Sequence, residues 1–321
     1  MASLRAALAR HQLIWFFVLT LVPMPIAAYQ RLGVGLDLSV LELGTAGPAA
    51  VLLAWAAGNE PPRTRRTAVR LIAFVATAAA VALVLRVVSA ADWLATLVFA
   101  VEWGFLVSCL WSPTCSVREL VRPLLQWRQR RGVWAFALLA YPLLVAAIVV
   151  ASRIGQSGDL GGGGSWSDLA RSLLGAGVVR MPWVVGWYGF AGRRLMARLS
   201  PLLAGLLLGT LWTTTAWLLD APLPPADLLA RFFLTNVATA LVSLWLLQRA
   251  RGGLLPLWVL GAIASASFYG ILWVGGTAWF TRFDWIMAGA ECLLAACLVV
   301  GWRMWRGPTR ELAAETAGAG V

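Results

Sequence analysis

The chain has 321 residues, no lysine and a single histidine, His11. Only 12% of its residues are charged, about half the share of a soluble domain. With no lysine there is no Ser–Lys pair, and neither HExxH nor GxSxG occurs. His11 precedes the first apolar run and reads as an interfacial residue with no ligand role. The four cysteines, Cys109, Cys115, Cys292 and Cys297, lack CxxC spacing and a secreted framework, so they read as small packing residues. Nothing points to a metal or cofactor. Sparse charge together with 60% hydrophobic residues and a mean hydropathy of +0.79 excludes a soluble globular protein. The net charge of +12 does not indicate nucleic acid, because the arginines are dispersed between apolar runs and form no stripe.

What the chain does have is span-length apolar segments. A bilayer core about 30 Å thick takes about 20 helical residues, and such runs fall near 12–30, 41–58, 68–88, 91–112, 133–153, 168–190, 200–219, 228–248, 254–274 and 284–304. The pattern predicts an all-α polytopic bundle of about ten spans. The arginines support this arrangement. The clusters at 63–70, 118–131, 193–198 and 303–310 fall on one side, and only Arg31, Arg86, Arg153, Arg231 and Arg282 fall on the other. The positive-inside bias then puts both termini in the cytoplasm, with the N-terminal run as an uncleaved signal anchor in a bacterial plasma membrane. Tryptophans near helix ends, such as Trp93, Trp134 and Trp302, suit interfacial belts. The glycine-rich stretch 156–165 reads as a flexible outer loop and the tail from Gly307 as a frayed end.

Within Trp183 to Leu218 the sequence reads Gly186-Trp187-Tyr188-Gly189-Phe190, then Arg193-Arg194, then a small-residue helix through Gly209 to Trp212. A second run goes from Trp245 to Arg249 and on through Gly252-Gly253-Leu254-Leu255-Pro256. The first run resembles the EExGWRGF, basic turn and WxxWH frame of the CPBP family, the CAAX-protease and bacteriocin-processing (Abi-type) intramembrane endopeptidases. The second is similar to that family's WLYxRTGGSLLPAILLHAAFN. The resemblance implies an eight-helix core, here residues 67–306, preceded by an added two-helix hairpin at 1–66 and followed by a tail at 307–321.

The resemblance also implies a chemistry in which a glutamate of the pair activates water, histidines support it and an Asn or Asp stabilises the oxyanion. In this chain the paired glutamates fall on Trp183 and Val184 and the arginine on Tyr188. The two histidines fall on Ala216 and Gly261 and the asparagine on Ser265. None of these replacements is a carboxylate or a histidine, and neither Gly261 nor Ser265 can act as base or metal ligand there.

Three ionisable residues lie well inside predicted spans: Glu102, Arg180 and Glu291. A charge near a helix centre costs at least about 2.5–3.5 kcal/mol on insertion scales, so each needs a partner or water. Glu102 and Arg180 fall at nearly equal depth, which predicts an ion pair, with Glu291 nearer the outer face. Thr213, Thr214, Thr215, Thr235, Asn236, Thr239, Ser265 and Ser267 supply further polar contacts between spans.

The expected function is a catalytically inactive membrane scaffold or regulator. It would hold a membrane-embedded segment or lipidated protein partner, with membrane lipid around it. The alternatives are a divergent endopeptidase using Glu102 or Glu291 as base, and a transporter, for which no inverted repeat is visible.

Overall fold

A computed structural model describes residues 8, 11–21, 45–57, 67–86, 93–112, 114–153, 166–219 and 225–307. At 93–95, 151–153, 166, 215–219 and 268–284 it describes backbone alone. All described elements are helical: α1 Gln12–Leu21, α2 Ala46–Ala57, α3 Thr67–Val84, α4 Trp93–Ser108, α5 Cys115–Val121, α6 Arg131–Arg153, α7 Trp166–Trp183, α8 Arg193–Met196, α9 Pro201–Leu219, α10 Ala226–Arg249 and α11 Leu255–Trp302. Helices satisfy their own backbone groups, as lipid requires. Four stretches, Thr67–Val84, Arg131–Val150, Ala226–Arg249 and Trp285–Trp302, are long and apolar enough to cross a membrane, which makes the chain a membrane protein. Helix α7 carries Asp168, Arg171 and Arg180 and is less apolar. The far part of the 12–30 run, the 156–165 loop and the tail beyond 307 lie outside the described residues.

Helix α11 departs from the predicted pair of helices at 254–274 and 284–304, because helical backbone runs from Leu255 to Trp302. A straight helix of 48 residues would be about 72 Å long. Contacts at its two ends fall near the C-terminal end of α10. Leu254 N–H donates to Pro123 O at 3.1 Å, just past the end of α10, while Trp302 packs edge-on against Trp245, 5.1 Å away, inside that end. Arg249 also stacks on Trp302, with its guanidinium 4.6 Å from the ring centre. Residues at both ends of α11 therefore lie close to the C-terminal end of α10.

The described helices of the predicted hairpin at 1–66 pack into the buried core. Phe16 of α1 packs on Trp187 and Phe190 at 5.7 and 5.3 Å, and α2 contributes Ala46, Leu53 and Ala54 among others to the same buried core. The peripheral element is α3. Most of it is exposed, and Val81 and Leu85 join a small separate cluster with Phe99, Ala100 and Val178.

The centre of the bundle is the segment joining α7 to α8. Val184–Gly192 is π-helical and wholly buried, and such widened turns are rare and concentrate at functional positions. Two sequence features set it up. Pro182 has no N–H to give the helical ladder, which breaks the α pattern one turn earlier. Gly186 then lets the wide turn meet α2, since a Cβ there would run into the backbone of Ala46. Without water to drive helices together, such close backbone contact supplies dispersion energy in its place.

Candidate functional site

The carbonyl of Val178 sits four residues before Pro182 and loses its helical donor to the proline ring. Trp103 Nε1–H supplies a donor at 2.7 Å. One residue earlier, the Gly177 carbonyl accepts Trp258 Nε1–H at 2.6 Å. The two indoles meet edge to face with centroids 5.7 Å apart. Tryptophans from α4 and α11 thus clamp α7 just before its backbone widens, which fixes where the next side chains point.

The first of these is Arg180. Its Nε–H donates to Ser265 Oγ at 3.1 Å. Its guanidinium lies over two indole faces, 5.2 Å from Trp183 and 5.6 Å from Trp212. Those rings are in contact, with centroids 4.6 Å apart, and Trp183 also meets Tyr188 at 5.0 Å. The Arg180 stem passes Gly261, where a Cβ would lie 3.8 Å from its methylenes. Of the positions singled out by the motif comparison, 183, 188, 261 and 265 converge on this one arginine. Val184 is buried one residue along, and the side chain of Ala216 lies outside the described residues.

The expected Glu102–Arg180 ion pair does not form. Glu102 is buried, and its Oε2 has no hydrogen-bond partner among the described residues. The neighbouring Trp103 bonds to α7 two residues from Arg180, so the two helices are adjacent at this level. Successive helical residues point about 100° apart, so with Trp103 aimed at α7, Glu102 is turned aside. A carboxylate within electrostatic reach of Arg180 among the described residues is Glu291, which is 5% exposed. Tyr141 of α6 approaches Glu291 and Thr239 closely enough to hydrogen-bond with both. Tyr188 reaches Ser243 in the same way, and Asn236 Nδ2–H donates to Thr213 Oγ1 at 3.2 Å. Helices α6, α7, α9, α10 and α11 therefore each bring polar side chains to the bundle interior.

Two of these atoms, Glu291 Oε2 and Trp183 Nε1, are buried with no hydrogen-bond partner among the described residues. No group of three His, Cys, Asp or Glu residues is placed to hold a metal ion among the described residues. Tyr141 belongs to neither motif frame, although a tyrosine in the middle of an apolar span is a usable signal, since its hydroxyl needs a partner there. No protein-family model matches the chain, and no curated protein matches it.

Proposed function

We propose that the chain is a non-catalytic relative of the CPBP intramembrane endopeptidases, with about ten spans and both termini on the cytoplasmic side of a bacterial plasma membrane. It acts as a membrane scaffold or regulator that holds a membrane segment or a lipidated protein beside the Arg180 cluster. The observation that carries this reading is the occupancy of the cluster. An arginine stacked on Trp183 and Trp212 and bonded to Ser265 sits among the positions where the resemblance expects acids and histidines. A guanidinium keeps its proton in any protein setting and cannot act as a general base. Retained polar groups such as Asn236, Thr239 and Ser243 suit recognition of another membrane segment, whose polar groups need partners in lipid.

A photoreactive residue placed at Gly261 tests the binding role in cells. The reading expects a discrete cross-link to one membrane-embedded or lipidated protein, lost in Arg180→Leu. Cross-links to lipid alone would contradict it.

A second reading has one supporting observation. Glu291 is a buried carboxylate next to Tyr141 in the same cluster, which would suit a divergent endopeptidase with Glu291 as its base.

A further inference from the structure

The basic run from Arg122 to Arg131, which holds four arginines, is not a loose loop. Its Pro123 is buried, as are Val117, Leu120 and Val121 of the preceding helix α5. Ser116 Oγ–H ties α5 to Ala54 O at 2.8 Å, and Pro123 O accepts the N–H of Leu254 at 3.1 Å. Beyond it, Trp127 N–H donates to Leu125 O at 3.0 Å and Gln129 N–H to Trp127 O at 2.9 Å, two successive tight turns. Trp134 Nε1–H then closes on Trp127 O at 3.1 Å. The ribbon is pinned at both ends, and its outer side chains are presented in a fixed order.

Those outer side chains combine opposites. Leu125 and Trp127 are 58% and 66% exposed. Arg122, Arg128, Arg130 and Arg131 are exposed beside them, with the Arg128 guanidinium 5.3 Å from the Trp127 ring centre. Between Glu119 and Asp159 the sequence contains no carboxylate to neutralise them. Directly below Arg131, α6 exposes a continuous apolar face through Ala135, Leu138, Leu139, Leu143 and Val150. From Arg131 to Val150 that face rises about 28 Å, close to the thickness of the hydrocarbon core.

We infer that this ribbon and the upper half of the α6 face form a binding site for an anionic phospholipid. Its phosphate sits against Arg128, Arg130 and Arg131, its glycerol region meets Trp127, and one acyl chain runs down Leu138, Leu139 and Leu143. The occupant follows from charge complementarity combined with geometry. A headgroup phosphate needs guanidinium donors at the interface, and its chain needs an apolar stripe immediately beneath them. Because Leu254 is bonded to Pro123 and packs on Gly189, the lipid borders the elements that carry the Arg180 cluster.

The test uses the full chain purified in a neutral detergent and equilibrated with equimolar phosphatidylglycerol and phosphatidylcholine. Native mass spectrometry then counts retained lipid. Each interfacial arginine is worth on the order of a fivefold preference at low salt. The intact chain should retain phosphatidylglycerol preferentially, and Arg128→Gln/Arg130→Gln/Arg131→Gln should lower that preference more than about tenfold. Arg303→Gln/Arg306→Gln, which removes exposed arginines elsewhere, should leave it unchanged. The three single variants are measured alongside, so that poor folding of the triple does not remove the test. Millimolar inorganic phosphate should fail to displace the lipid. The proposal is overturned by equal retention of both lipids, by undiminished preference in the triple and single variants, by equal loss in both arginine sets, or by displacement with phosphate.

Discussion

Trp103 gives its indole N–H to the carbonyl of Val178, the group that Pro182 leaves without a donor, at 2.7 Å. This bond explains how a proline and a wide π turn coexist in the middle of a buried bundle. The break in the ladder is satisfied from a neighbouring helix, and the satisfied break becomes the reference point for everything from Arg180 to Gly192. Trp258 repeats the contact one carbonyl earlier.

The first expectation concerns that bond. Trp103→Phe keeps an aromatic ring and strands the Val178 carbonyl, which costs about 1–3 kcal/mol. Pro182→Ala supplies the missing N–H, so the cost of Trp103→Phe should shrink in its presence. Thermal or denaturant unfolding in detergent measures the cycle. Strict additivity would show that Trp103 does not serve the proline break.

Close backbone approach gives the second. A Cβ on Gly186 runs into the Ala46 backbone, and one on Gly209 into the Val237 backbone. Rigid neighbours cannot give way, so Gly186→Ala and Gly209→Ala should each lose about 1–3 kcal/mol. Gly289, where an added Cβ would meet nothing within 4 Å, is the control and should tolerate alanine.

The third separates the two buried glutamates. Arg180→Leu and Glu291→Gln should couple by about 0.5–3 kcal/mol, because each single change alters the field that the other residue sees. Arg180→Leu and Glu102→Gln should add to within about 0.5 kcal/mol. Coupling to Glu102 in place of Glu291 would contradict the observed arrangement.

The fourth rests on the Asn236–Thr213 bond between α10 and α9, 3.2 Å long. Hydrogen bonds between membrane helices average about 0.6 kcal/mol and reach about 1.7 kcal/mol. Asn236→Ala and Thr213→Val should show a coupling in that range, read from the same unfolding measurement.

Much of this architecture was legible in the sequence because hydropathy reports span length directly. The described helices begin and end close to the apolar runs at 68–88, 133–153, 200–219 and 228–248. Arg180 and Glu291 also stood out as charges that lipid would not accept. Rotation about the helix axis did not show. Glu102 has the depth of Arg180, but its partner is decided by the angle that Trp103 fixes, and no periodicity reveals that in a helix apolar on every side. The π segment was hidden for the same reason: Val184–Gly192 is buried all round, so a change in turn width leaves no polar face out of step.

The proposed function turns on whether the Arg180 cluster recognises a membrane segment or cuts it. Turnover of quenched fluorescent membrane peptides by the full chain in liposomes decides this, compared with Glu291→Gln and Glu102→Gln at matched amounts. A recognition role predicts the same background rate for the intact chain and both variants. Cleavage by the intact chain that disappears in Glu291→Gln, with the variant still folded, would contradict it.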